Sequence, residues 1–211
     1  MTWQSLFERG ERTEATVSEI RAEVATQRGT GDESETGGDQ TEGDNNRGTA
    51  IGDRVELGPE RVVADADVLA ADLIAGGAAR AALDHVRAHD WVVLVASDAL
   101  LDDATAVIAA CSTDGLAADW RNQIERERVA VGHPAGDHPA LASALRGGAM
   151  HVLTFDQSLQ SADAGAAIRG HVETSIKSPD AFASVFDPER LYPAVVAGGG
   201  EYPGPDRDPR A

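Results

Sequence analysis

The stretch RVVADADVLAADLIAGGAARAAL, residues 61–83, decides the fold. Val62, Val63 and Ala64 form a branched apolar run that reads as a buried strand, and Asp65 ends it. An Ala- and Leu-rich segment with helical spacing follows over 68–89, and Gly76-Gly77 predicts a break between two helices. Working outward, WVVLVAS (91–97), VAVGHP (129–134), HVLTF (151–155) and VETSIKS (172–178) read as further strands. Helices are expected from Ser97 through Cys111, over 116–128, over 138–148 with Pro139 in the first turn, over 158–170, and from Ser178-Pro179 onward. Strands alternating with helices of this length predict an α/β domain over 58–193, three layers (α/β/α) with a mostly parallel central sheet.

The flanks read differently. Residues 1–27 predict an amphipathic helix: Ser5 to Glu8 and Thr16 to Glu19 fit the capping-box spacing, and Trp3, Leu6, Phe7, Val17, Ile20 and Val24 recur at helical intervals. Gly10 interrupts the pattern and leaves two short helices open. That stripe needs a surface to cover it: its own domain, a second copy in a homodimer, or a protein partner. Residues 28–57 predict a disordered acidic linker, because 28–50 contain no large apolar residue to offset the entropy of ordering. Residues 194–211 predict a flexible Gly/Pro-rich tail.

Asp and Glu total 36 against 18 Lys and Arg, a net charge of −18. Lys177 is the only lysine, leaving 18 − 1 = 17 arginines. This balance predicts a halophilic protein, whose dense carboxylate surface stays hydrated where salt screens charge over a few ångströms. A single cysteine, Cys111, excludes an internal disulfide and a thiolate metal cluster, and its apolar neighbours predict a buried small side chain. No apolar stretch approaches the ~20 residues of a membrane span. With no signal-peptide pattern at the N-terminus, the expected location is cytoplasmic.

Four aspartates stand where a metal-dependent nuclease needs them. Asp65 and Asp156 follow apolar runs; Asp103 and Asp137 lie in or before helical stretches. Open α/β sheets bind ligands beyond the carboxyl ends of their strands, so acids distant in sequence can converge there. Mg²⁺ or Mn²⁺ takes oxygen ligands, usually one or two carboxylates beside water and phosphate, and the pattern predicts phosphodiester hydrolysis. Taken singly, Asp137 also suits a helix N-terminus and Asp103 an exposed helix face. His133 and His138 bracket Asp137 as histidines at the site mouth and lack zinc-ligand spacing. His85 and His89, spaced i, i+4, fit an exposed polar face better than a chelate. Arg121, Arg126, Arg128 and Arg146 are candidate phosphate contacts that equally suit pairing with surrounding acids.

Residues 60–187 resemble the PIN domain, a family of Mg²⁺- or Mn²⁺-dependent ribonucleases with an α/β/α fold. The resemblance rests on VVADAD with Asp65 and Asp67, SDALLDDATAVI, DHPALASALRGGAMHVLTFD, and the closing SPDAFASVF. It implies metal ligation by Asp65, Asp103, Asp137 and Asp156, with Asp102 as the register alternative to Asp103 and with Asp67 and Thr154 supporting. RNA is the substrate it implies. This chain departs from the family where Asp103 replaces the usual Glu, where bulky Phe155 separates Thr154 from Asp156, and where Ser158 stands in place of a further Asp. A catalytically weakened PIN-like module, acting as an interaction or dimerisation platform, is the alternative expectation.

Overall fold

A computed structural model describes residues 1–31, 56–161 and 174–211. At its centre lies β1 (Gly58–Ala64), whose Val62, Val63 and Ala64 are buried as the apolar run predicts. β1 pairs in parallel with β2 (Val93–Ser97) on one side and β4 (Ala149–Leu153) on the other. β3 (Arg128–Val131) lies outside β2 and β5 (Ser175–Lys177) outside β4, giving one all-parallel sheet in the order β3-β2-β1-β4-β5. Helices flank this sheet in a three-layer α/β/α arrangement.

Parallel neighbours require long crossovers, and here these are helical. α1 (Trp3–Gly10) and α2 (Val17–Gly31) precede the sheet. α3 (Ala66–Ile74) and α4 (Gly77–Arg87) connect β1 to β2, broken at Gly76 and Gly77, whose φ angles of 67° and 58° suit glycine. α5 (Asp98–Cys111) and α6 (Asp114–Ile124) lead to β3, and α7 (Pro139–Gly147) returns the chain past β2 and β1 to β4. α8 (Gln157–Gln160) follows β4, while α9 (Pro179–Val185) and α10 (Pro188–Val195) follow β5. The strand order thus reverses between β1 and β4, and the crevice at their carboxyl ends is the switch point of the sheet.

The N-terminal stripe is covered by its own chain. Trp3, Leu6, Phe7, Ile20 and Val24 belong to the same core as the sheet. This burial removes the exposed stripe that suggested a homodimer or a partner at the first helix. Gly10, the last residue of α1, lies where α1 crosses α3 closely: a Cβ would sit 2.2 Å from the Leu73 carbonyl oxygen. Beneath α1, buried Asp72 pairs with Arg80 at 3.6 Å and with Arg87, and Arg80 also reaches Glu11 at 2.8 Å. The Arg80 guanidinium lies 3.6 Å from the centre of the Phe7 ring, and that of Arg87 lies 4.2 Å from Trp3. Aromatic faces attract such cations, so α1 closes over this ion pair network as well as over apolar side chains.

Several boundaries differ from expectation. Residues 28–31, assigned to the linker, complete α2. The rest of the linker through residue 55, and the stretch 162–173 that includes most of the expected helix 158–170, lie outside the described residues. The tail after α10 has no helix or strand, yet it is held. The amides of Trp3 and Gln4 donate to the carbonyls of Ala211 and Arg210, those of Asp206 and Arg207 to Ala88, and Arg210 pairs with Asp84 at 2.8 Å. His89, expected on an exposed face, is buried: Nδ1 donates to the His85 carbonyl and Nε2 accepts from the Tyr202 hydroxyl, so neither nitrogen is left for a metal. Cys111 is only half-buried at the end of α5. Among the described residues, no helix is long and apolar enough to cross a membrane.

The α1–α3 crossing is tested by Gly10→Ala. Its methyl group meets a backbone carbonyl that cannot rotate away, and the expected loss in urea denaturation is about 1–3 kcal/mol. An unchanged midpoint would show that α1 does not pack there.

Candidate functional site

The β1–β4 seam brings the first and last acidic motifs together. The Asp65 amide donates to the Leu153 carbonyl at 2.8 Å, and the Thr154 amide to the Lys177 carbonyl at 3.0 Å. Asp65 caps α3 and is fully buried: Oδ1 accepts from the Ala66 amide at 2.8 Å, and Oδ2 lies 3.1 Å from the Thr154 hydroxyl. Asp67, in the first turn of α3, reaches the same hydroxyl at 3.4 Å and accepts from the Phe155 amide at 3.0 Å, both through Oδ2. Thr154 has one proton for these two carboxylates, and the shorter distance favours Asp65. Its oxygen accepts in turn from the Asp156 amide at 3.0 Å.

The other Asp67 oxygen, Oδ1, is buried and has no hydrogen-bond partner. Burial, and then the neighbouring Asp65 charge, push the Asp67 carboxyl up to about 7. Two carboxylates sharing one hydroxyl in a buried crevice thus leave one oxygen short of a positive partner.

The remaining predicted acids divide. Asp103, on α5, faces the same crevice; burial raises its pKa, the nearby Arg28 charge works against that shift, and Asp65 adds to it. Asp102, the register alternative, points away and pairs with Arg121 at 2.9 Å. Asp156 caps α8, its Oδ1 accepting from the Ser158 amide at 2.8 Å and hydroxyl at 2.7 Å. Burial works against its charge, but these bonds from Ser158 outweigh it and leave the Asp156 pKa lowered. Asp137 is not brought into the crevice. It is exposed in the loop before α7 and has no hydrogen bond or ion pair among the described residues. The chain turns so that the next residue, His138, faces the cluster instead. Its Nδ1 is buried without a partner, and burial lowers its pKa although Asp65, Asp156 and Asp103 oppose that shift. His133 lies 3.0 Å from the Ser97 hydroxyl at the end of β2. Of the four expected phosphate contacts, Arg121 and Arg128 are committed to Asp98 and Glu125, and Arg126 to Gln123. Arg146 is exposed.

One residue of the site had no signal in the sequence. Arg28, in the last turn of α2, places Nη2 2.7 Å from Asp65 Oδ1, and its Nε lies 4.0 Å from Asp103 Oδ2. Burial works against the guanidinium charge, but Asp65, with Asp103 and Asp67 adding, outweighs it and raises the pKa. Beside it an open pocket of about 190 Å³ is lined by Arg21, Val24, Ala25, Arg28, Asp67 and Asp156. Among the described residues no three His, Cys, Asp or Glu side chains form a ready-made metal cage. The converging pair is Asp65 and Asp67, with Asp103 and Asp156 at the rim. That suits a hard cation that takes one or two carboxylates and completes its shell with water and phosphate.

A family model described as a family of unknown function, DUF7384, matches residues 56–210. The matched span holds every carboxylate of the cluster and leaves out α1, α2 and Arg28. No curated protein and no solved structure matches the chain.

The Asp67 environment has a measurable consequence. Unfolded, the carboxyl titrates near 3.8; folded, near 7. Between these values the folded chain holds the extra proton, so this group lowers stability as pH rises through that window, and the loss is complete above it. Asp67→Asn cannot ionise. In metal-free buffer it should match the native chain near pH 4 and exceed its stability by about 1–3 kcal/mol at pH 8. A difference that does not vary with pH would refute the assignment.

Proposed function

We propose that this chain, which belongs to the DUF7384 family, is a metal-dependent endoribonuclease working at the β1–β4 crevice. The observation that carries the reading is the buried, unpartnered Oδ1 of Asp67 beside fully buried Asp65. The likeness of Asp65-x-Asp67, Thr154-x-Asp156 and Ser178-Pro179 to PIN-domain motifs supports the choice of RNA.

Asp65 and Asp67 would hold Mg²⁺ or Mn²⁺, with Asp103 and Asp156 receiving its water ligands at the rim. A bound cation of this kind supplies an acidified water and neutralises charge on the departing oxygen. The Thr154 hydroxyl orients Asp65, and the Phe155 amide holds Oδ2 of Asp67. His138, neutral by burial, offers an unpartnered nitrogen at the crevice edge that can accept a hydrogen bond from water or substrate. The chain's acidity weakens ordinary electrostatic attraction to RNA, since Lys and Arg contacts supply most non-specific affinity. In multimolar salt that contribution is small for any protein, and recognition there depends on direct bonds and stacking.

A second reading, a weakened module that binds without cleaving, is favoured by one feature: Asp65 already carries a cationic partner in Arg28. RNA cleavage assayed with MnCl₂ in high KCl decides between them. The native chain should cleave, and Asp65→Asn should lower the rate by on the order of a hundredfold or more, as expected for loss of a direct metal contact. Equal rates in the two proteins would remove the crevice from the chemistry, and a native chain that binds Mn²⁺ without cleaving would leave the second reading.

A further inference from the structure

The acids of the crevice are not without a cation. The guanidinium of Arg28 sits 2.7 Å from Asp65 Oδ1 and 4.0 Å from Asp103 Oδ2, between the buried acid and the rim. From this juxtaposition we infer that Arg28 is a resident counter-ion that a divalent metal must displace, so that metal loading releases this arginine to the pocket wall. The inference rests on the reading that the crevice takes such a metal.

Three observations support exchange. Asp65 has little spare capacity: Oδ1 accepts from Arg28 and Ala66, and Oδ2 is bonded by Thr154. A metal ligated by Oδ1 would stand within a few ångströms of the guanidinium, where like charges in a partly buried site repel strongly. Second, Arg28 is held by half its fork, because Nε is buried with no hydrogen-bond partner. Arg80, by contrast, places Nε and both terminal nitrogens on oxygens of Asp72 and Glu11. Third, there is room to move without undocking the helix. Val24 and Ile20 anchor α2 in the core one and two turns upstream, and the adjoining pocket of about 190 Å³ can receive the side chain. On that wall stands Arg21, exposed and without an ion pair among the described residues. The released guanidinium would join it, and two arginines opposite a metal-loaded acid cluster suit a phosphate diester, which Arg binds through paired N–H donors. The group that offsets part of the acid cluster's charge in the metal-free site is thus the one that later meets substrate.

Calorimetric titration of the full chain with MnCl₂ tests this directly. Arg28→Gln should bind Mn²⁺ more tightly than the native chain by on the order of tenfold or more, because the competing charge is gone. Arg28→Lys, which keeps the charge, should stay near the native affinity, and Asp65→Asn should lose binding. If native and R28Q chains bind Mn²⁺ equally, or R28Q binds more weakly, the counter-ion role is overturned while the metal site stands. If the native chain and R28Q are folded by circular dichroism and neither takes up Mn²⁺, the metal reading falls and this inference with it. Should R28Q not fold, the native chain decides: on saturation with MgCl₂ the Arg28 Nε–H resonance must shift, and an unmoved resonance in the loaded protein refutes displacement.

Discussion

Parallel pairing of β1 with β4 forces two acidic motifs into one small, dry space. The backbone bond from Asp65 to Leu153 sets the height of the first carboxylate against the end of β4, and Thr154 then has no choice but to face it. Asp67 follows because it opens α3 on the same turn. Neither acid can retreat to solvent without breaking the sheet register. The fold therefore answers their repulsion locally, with one shared hydroxyl, an amide from Phe155, a proton-holding tendency on Asp67, and a guanidinium from another helix. Unpaired buried charge is among the most expensive features a core can carry, and each of these groups lowers that expense. The same arrangement leaves one carboxyl oxygen unsatisfied, and that residue of imbalance is what a ligand can use.

How much of this was legible beforehand follows from where each signal lay. Asp65 and Asp67 could be read because an apolar run stops at them, and the sheet architecture followed from the alternation of such runs with helical spacing. The choice between Asp102 and Asp103 could not be made by counting, since both fit one motif; a partner on α6, Arg121, takes the first and leaves the second to the crevice. Asp137 matched its motif by position, yet the loop before α7 turns His138 inward instead. Arg28 was invisible. It is 37 residues from Asp65, and its place at the edge of a Gly- and Glu-rich stretch assigned it to a linker by composition. Local composition describes what a segment can bury, and it carries no information about a single long side chain reaching across to another element.

α2 consequently has two roles that the sequence kept apart. Its apolar residues Ile20 and Val24 complete the core, its last turn presents Arg28 to the acids, and Arg21, nearer its start, lines the pocket. The family match begins at residue 56, so the carboxylates belong to the shared domain and the cation to an element outside it. A site assembled in this way can be tuned by one helix without altering the residues that would do chemistry.

The near-absence of lysine reads at first as an adaptation of the surface to salt. Beneath α1 it has a different meaning. Arg80 and Arg87 each meet the Asp72 carboxylate and at the same time lie over the rings of Phe7 and Trp3. A planar, weakly hydrated group can face an aromatic ring and an acid together, whereas an ammonium is a compact, strongly hydrated point charge. At these two positions the preference for arginine is a matter of shape and hydration, and it would hold in fresh water as firmly as in brine.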